Sequence, residues 1–486
     1  MSPIDVLQLT LTFLAQVVVK SPSAGAWRRF DQYSRRIHGA VLWQGRELFA
    51  KKRRGRRFRS TPIHSVDWNS VLRYYPGDHM LPNLAHLAYN IEEDAKYAHV
   101  LLKWPLQRLY VTFDPCSSIA PLLKALPACA QTLQEFEIDV PGSDSAADDI
   151  SYQTALSSAV CSLQYLVKLR VDTLTFEALE HLAYLQTLKE LYFGVSAAVA
   201  LAGQSASTPL RFAELETVVV STHWTNFDPF GHLLHKISAP KLRLLTVDFK
   251  IPEPFRESDA PLPSTTHTSH LFAAITSFPL LQKLEVYQSG KYSEWSLWQD
   301  ASIGFSTLSQ LLVLRNLEFV SLSWIPFTLS ASDLEAIASA WPHMTSLALG
   351  DRQRADLDDE EPAVKVKVDD LLPFALLCPR LERLSLPLMI PSDNLPRRDL
   401  SPVQSASELK ELSIGYLDLE FCADDAAVLV ALFPKAQLTS LDHYVYGNEA
   451  VVQMNGTMRA MSRLLERQRS LCARGSLPQP SESQEV

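Results

Sequence analysis

The sequence predicts an α/β solenoid of short repeats, and three observations predict it. First, an apolar triplet recurs: one apolar residue, another three positions on, a third two positions after that. It reads Leu84/Leu87/Tyr89, Leu106/Leu109/Val111, Leu133/Phe136/Ile138, Leu166/Leu169/Val171, Leu188/Leu191/Phe193 and Leu215/Val218/Val220. It continues as Leu242/Leu245/Val247, Leu281/Leu284/Val286, Leu317/Val320/Leu322, Met344/Leu347/Leu349, Leu381/Leu384/Leu386 and Leu409/Leu412/Ile414, with a weaker copy at Leu438/Leu441. The steps run from 22 to 39 residues, the period at which L-x-x-L-x-L marks the strand of a leucine-rich repeat. Second, a segment of helical period follows most copies: Ile119–Leu126, Phe176–Leu185, Leu271–Phe278, Leu334–Trp341, Leu371–Leu377 and Ala426–Phe433. Third, proline often stands just before the triplet, as in Trp104-Pro105, Phe278-Pro279, Trp341-Pro342 and Cys378-Pro379. It ends the helix and starts an extended segment. The expected fold is therefore a leucine-rich-repeat solenoid, curved, with about twelve repeats. Its parallel sheet lies on the concave side and its helices outside.

Each part of the chain has an expected place in this scheme. Residues 1–50 form an N-terminal helical region, either a cap or the remnant of another module, with a strand at Ala40–Trp43. Residues 51–80 are a basic linker and 81–448 the solenoid. Residues 449–473 are a capping helix and 474–486 a disordered tail. The longer steps contain polar, Pro/Ser-rich stretches read as loops: 141–150, 251–270, 351–370 and 391–406.

Composition narrows the function. The 486 residues are 47% hydrophobic, enough for a large core, and the net charge of −9 argues against a general nucleic-acid binder. Six cysteines at irregular gaps, with no C-x-x-C pair, read as reduced thiols of an intracellular protein, cytoplasmic or nuclear. No run of 18 uncharged apolar residues is present, so no membrane span is expected. Glycine is scarce at 16, and the sequence holds no G-x-G-x-x-G, G-x-x-x-x-G-K-[ST], H-E-x-x-H or G-x-S-x-G. His232 and His235 lie three apart on an expected helix without a third ligand in the pattern. No catalysis, metal or cofactor is expected.

Two features invite a binding role. In the run Lys51, Lys52, Arg53, Arg54, Gly55, Arg56, Arg57, Phe58, Arg59, seven of nine residues are basic. It reads as an import signal, a phosphate-binding patch or a solvated loop. The second feature is the concave face. Strand residues alternate faces, so the positions between the apolar ones point away from the core. That rule exposes Arg108, Tyr110 and Thr112; Glu135, Glu137 and Asp139; Lys168, Arg170 and Asp172; Glu190 and Tyr192. Thr217, Val219 and Ser221 follow, then Lys283, Glu285 and Tyr287, then Phe319, Ser321 and Ser323. Charge is concentrated early, with an acidic strand between two basic ones. Neighbouring strands pairing across the sheet would neutralise it. Alternatively the three carboxylates form a single-signed ridge beside tyrosines, of the kind found at interface centres. The candidate partner site is Arg108, Tyr110, Glu135, Glu137, Asp139, Lys168, Arg170, Tyr192 and Tyr287.

The repeats and two further segments give the chain a resemblance to a family. Trp27-Arg28-Arg29-Phe30-Asp31-Gln32-Tyr33-Ser34-Arg35-Arg36-Ile37 is similar to a W-x-R-F-x-x-Y-A-x-R-V stretch, and Leu81-Pro82-Asn83-Leu84 is similar to an FPNL first repeat. Both occur in the leucine-rich-repeat F-box-type proteins of mushroom-forming fungi, and the resemblance covers roughly 26–445. It implies the substrate-receptor part of a ubiquitin ligase, with a protein partner on the concave face. The family's opening L-P-x-E-[IV] segment is missing from residues 1–25. A Skp-type adaptor is therefore an expected partner only if an F-box stands upstream. The other reading is a nuclear leucine-rich-repeat scaffold or regulator with no ligase link.

Overall fold

The computed structural model describes residues 82–91, 102–113, 119–140, 150–205, 208–223, 227–250, 265–289, 303–322, 327–350, 368–389, 407–416 and 423–440, the strand Gly39–Leu42 and isolated positions including Ser34 and Arg35. Residues 1–27 of the expected helical region, the basic run 51–59, the capping helix 449–473 and the tail 474–486 lie outside the described residues. So do most of the expected loops. Contacts divide the chain into unit 1, Met1–Leu242, and unit 2, Arg243–Val486.

Unit 1 contains a sheet of seven strands hydrogen-bonded in chain order. These are β1 Gly39–Leu42, β2 His86–Ile91, β3 Arg108–Phe113, β4 Glu135–Asp139, β5 Lys168–Arg170, β6 Glu190–Val195 and β7 Thr217–His223. Every neighbouring pair is parallel. Unit 2 repeats the design with β8 Leu244–Lys250, β9 Lys283–Ser289, β10 Phe319–Leu322, β11 Ser346–Leu349, β12 Arg383–Met389, β13 Glu411–Tyr416 and β14 Gln437–Ser440, again all parallel. Each copy of the triplet, the weak last one included, forms a strand. The fold is an α/β leucine-rich-repeat solenoid. Thirteen strands come from the triplet, one more than the expected twelve repeats, and β1 adds a strand ahead of the first copy.

Parallel strands need a crossover between them, and helices supply most of it. Described helices include Ala120–Ala125, Ile150–Cys161, Phe176–Ala183, Ala197–Ser205, Phe227–Lys236, Thr265–Ile275, Ala331–Ala340, Leu372–Leu377 and Ala423–Leu432. The helix over 265–275 corrects the expected loop 251–270, whose last residues are its first turns, and Ile150, read as loop, opens a helix. Thr175 caps the third of these helices through Ala178 N–H at 3.4 Å. Ser330 and Asp333 form a capping box on the Ala331–Ala340 helix.

The triplet fills the core. Leu109, Phe136, Leu169, Leu191, Val218, Leu245, Leu284, Val320, Leu347, Leu384 and Leu412 are all buried. Full burial of side chains this size is worth about 1.5–3 kcal/mol each. The backbone explains why the spacing is so regular. The carbonyl one residue after the first apolar position accepts two successive N–H groups of the next repeat. Ala85 O takes Gln107 and Arg108 at 2.8 and 2.9 Å, and Gln107 O takes Gln134 and Glu135 at 2.8 and 2.9 Å. The device recurs at Gln134, Val167 and Lys189, and in unit 2 at Arg243, Gln282, Glu318, Thr345 and Glu382. A carbonyl has two lone pairs, so one residue anchors the entry to each strand. The link uses backbone only and leaves its side chain free to vary.

Candidate interaction face

The strands of each unit have a buried face and an open one. In β3 and β4 exposure alternates residue by residue, as the period of two requires. The open positions of unit 1 fall into rows because the ladder is in register. From β3 onward, after His86 and Ala88 of β2, the first row is Arg108, Glu135, Lys168, Glu190 and Thr217; the second is Tyr110, Glu137, Arg170, Tyr192 and Val219. Thr112 and Asp139 begin a third. Eight of the nine residues expected at the partner site therefore come together. The ninth, Tyr287, stands in unit 2 on β9, in register with Asp248. The basic run lies outside the described residues.

Charges in the first two rows are matched across neighbouring strands. Arg108 Nε is 2.9 Å from Glu135 Oε1, and Lys168 Nζ is 3.0 Å from Glu190 Oε2. Arg170 Nη1 donates to Glu137 Oε1 at 3.1 Å. Asp139 accepts the Tyr110 hydroxyl at 3.2 Å. Glu135, Glu137 and Asp139 are thus not a single-signed ridge; each is engaged by the preceding or following strand. The reason is register: strands about 4.8 Å apart place opposite charges side by side. Tyr192 is held from two sides. Its hydroxyl donates to Glu190 at 3.4 Å, and Lys168 Nζ and Arg170 Cζ lie 5.3 and 5.9 Å from its ring centroid, within cation–π range.

The electrostatics follow from these contacts. Burial raises the Tyr110 phenol above its ordinary value, and the Asp139 and Glu137 carboxylates add to the rise. Tyr192 is raised by burial and then by Glu190. For Lys168, burial alone lowers the pKa, but the bond and charge of Glu190 prevail and raise it.

Some structural residues at this face were not singled out from sequence. Tyr152, in the first turn of its helix, is buried and donates to Asp172 at 2.7 Å. Burial, then Asp172, raises its phenol. Its ring lies 5.8 Å from that of Phe113. At Gly194 a Cβ would meet the Asp172 carbonyl oxygen at 1.9 Å, so the chain passes too closely for any side chain. A glycine inside a strand is the one sequence signal for such an approach. Asn83 Nδ2 donates to the Arg35 carbonyl at 2.6 Å, and Ser34 is buried. The pre-repeat segment and the start of the first repeat, the two short segments behind the family resemblance, therefore touch. His232 lies 3.8 Å from Asp228 on its helix, and His235 is exposed. Among the described residues no helix is long and apolar enough to cross a membrane.

No protein-family model matches the chain, and no curated protein matches its sequence. Among solved structures, the crystal structure of the Rad7 and Elc1 complex in yeast is similar at 17% identity and a TM-score of 0.31, over 67% of this chain and 80% of that one. The repeat fold stands on its own ladder of strands, not on this likeness.

Proposed function

We propose that this chain is a non-catalytic, intracellular protein-binding solenoid, and that the open face of unit 1 receives its partner. The observation that carries this reading is the cluster on β3 to β6: three ion pairs and two tyrosines in register on one half-exposed surface. Tyr and Arg are enriched where interfaces concentrate their energy. Four adjacent strands hold the cluster rigidly, which lowers the entropy cost of binding. We further propose that the chain is the substrate-receptor part of an F-box-type ubiquitin ligase. The contact of Asn83 with Arg35 supports this, because it joins the pre-repeat segment to the first repeat.

The test is affinity capture with the full chain, followed by mass spectrometry, comparing the parent with a Tyr110→Ala/Arg170→Ala/Tyr192→Ala variant of unchanged melting temperature. The expected result is a partner lost from the variant, whose ubiquitylation falls when the chain is depleted. An identical set of captured proteins overturns the face. A face-dependent partner whose ubiquitylation is unaffected overturns the ligase role alone.

A further inference from the structure

The ion pairs on the open face of unit 1 bear on the chemistry of what it takes. Of the charged residues in the first two rows, the cations are Arg108, Lys168 and Arg170 and the anions Glu135, Glu137 and Glu190. Each cation is within 3.1 Å of one of those carboxylates. A charged partner would gain little attraction from two rows whose charges already balance, and Asp139 beside them already accepts the Tyr110 hydroxyl. Such a partner would also have to draw a side chain away from its present mate. The groups that offer a partner area rather than charge are aromatic. In the second row these are the two half-buried tyrosines, Tyr110 and Tyr192, at either end of the Glu137–Arg170 pair. Their hydroxyls are committed to Asp139 and Glu190, which fixes the rings before any partner arrives.

We infer that the open face of unit 1 binds an uncharged segment of a partner protein, read by Tyr110 and Tyr192 rather than by the ion-paired residues between them. The inference rests on the docking reading and adds the chemistry of the occupant. Tyr110 and Tyr192 are separated by three strand steps, or about 14 Å at about 4.8 Å per step. An extended segment laid along the row rises about 3.4 Å per residue, so residues four apart face the two rings from the same side of that segment. The partner segment is therefore extended, without net charge, and carries apolar or aromatic side chains at i and i+4. Aromatic contacts of this kind bury much area at small entropic cost.

A random peptide display library is the probe, selected on the immobilised full chain. Enriched peptides should carry no net charge and two apolar or aromatic residues four apart. Their affinity should change less than about twofold between low and high salt, since screening acts on charge and not on apolar area. Tyr192→Ala should weaken them about tenfold or more, as loss of an interface centre does, while Tyr192→Phe keeps most of the binding. Hydrogen exchange on the parent chain reads the same contact without a variant, as added protection over 108–113 and 190–195. Charged peptides with steeply salt-dependent affinity overturn the inference. So do peptides indifferent to Tyr110→Ala and Tyr192→Ala, protection confined to other strands, or no enrichment. If captured proteins depend on the face while the peptides are charged, the inference fails and the docking reading stands. If neither depends on the face, both fail.

Discussion

In unit 1 the open face carries Arg108, Glu135, Lys168 and Glu190 in one row and Tyr110, Glu137, Arg170 and Tyr192 in the next. In unit 2 the equivalent second row reads Thr246, Glu285, Ser321, Ala348, Ser385 and Ser413. Charge there is sparser, with a pair across neighbouring strands, Arg383 Nε to Glu411 Oε2 at 3.6 Å. Lys283 pairs with Glu285 on its own strand at 3.2 Å and lies 4.6 Å over the Phe319 ring, and Thr246 donates to Glu285 at 3.0 Å. The buried faces do not differ in this way, being mostly Leu, Val, Phe and Ile in both units, with Tyr89 in unit 1 and Met344 in unit 2. The same ladder design thus carries a different surface in each unit. The backbone link between repeats and the apolar triplet tolerate any open-face residue that is not itself destabilising.

Five experiments test this contrast. The largest effect is alkaline, and it should be alike in both units. Burial pushes the Cys129 thiol of unit 1 and the Cys378 thiol of unit 2 from 9.0 up to about 12. A raised acid binds its proton more tightly when folded, so the unfolded chain ionises first and stability falls as pH rises from about 9 towards 12. Each thiol can withdraw on the order of 4 kcal/mol across that window. Chemical denaturation at stepped pH should show a shallower slope in Cys129→Ala and in Cys378→Ala. An unchanged slope in both would mean neither thiol is sealed from water.

Core truncation comes next and should also be similar between units. Phe136→Ala in unit 1 should cost about 3–5 kcal/mol and Leu284→Ala in unit 2 about 2–5 kcal/mol, because both side chains are fully buried. A loss under about 0.5 kcal/mol, the range of surface sites, would place either strand out of register.

Gly194→Ala should destabilise unit 1 by a few kcal/mol, on the scale of overpacking, since the added methyl meets backbone rather than a movable side chain. Retained melting temperature would show that the chain at Asp172 can move aside.

The smallest effects separate the two faces. A double-mutant cycle on Arg170 and Glu137 should return a coupling of about 0.2–1 kcal/mol that fades with salt, because Arg170 is largely exposed. Thr246→Val, which removes a hydroxyl bond to Glu285, should cost about 0.5–1.5 kcal/mol. A coupling indistinguishable from zero at low salt would mean that the unit 1 ladder is decoration rather than a matched network.

Much of this architecture was legible in the sequence. The triplet located thirteen strands, and alternation put Arg108, Tyr110, Glu135, Glu137, Lys168, Arg170 and Tyr192 on one surface. Helix ends were less legible. Ile150 and residues 265–270 looked like loop because their polar and Pro/Ser-rich neighbours carry no apolar period, yet both belong to helices. The meaning of the acidic strand was also open, since a ridge of three carboxylates and a neutralised ladder have the same sequence.

The information that the chain carries alone is local and periodic. A residue's side of a strand depends only on whether an odd or even number of residues separates it from a buried leucine, and that count is written in the chain. Who stands beside whom is set only when the strands meet in three dimensions. Glu137 meets Arg170, 33 residues away; Tyr152 reaches Asp172 from a helix; and Asn83 holds Arg35 across 48 residues. Each contact depends on loops of unequal length bringing the next strand back in register. No period carries that information, because the ladder's own hydrogen bonds set it once the strands meet.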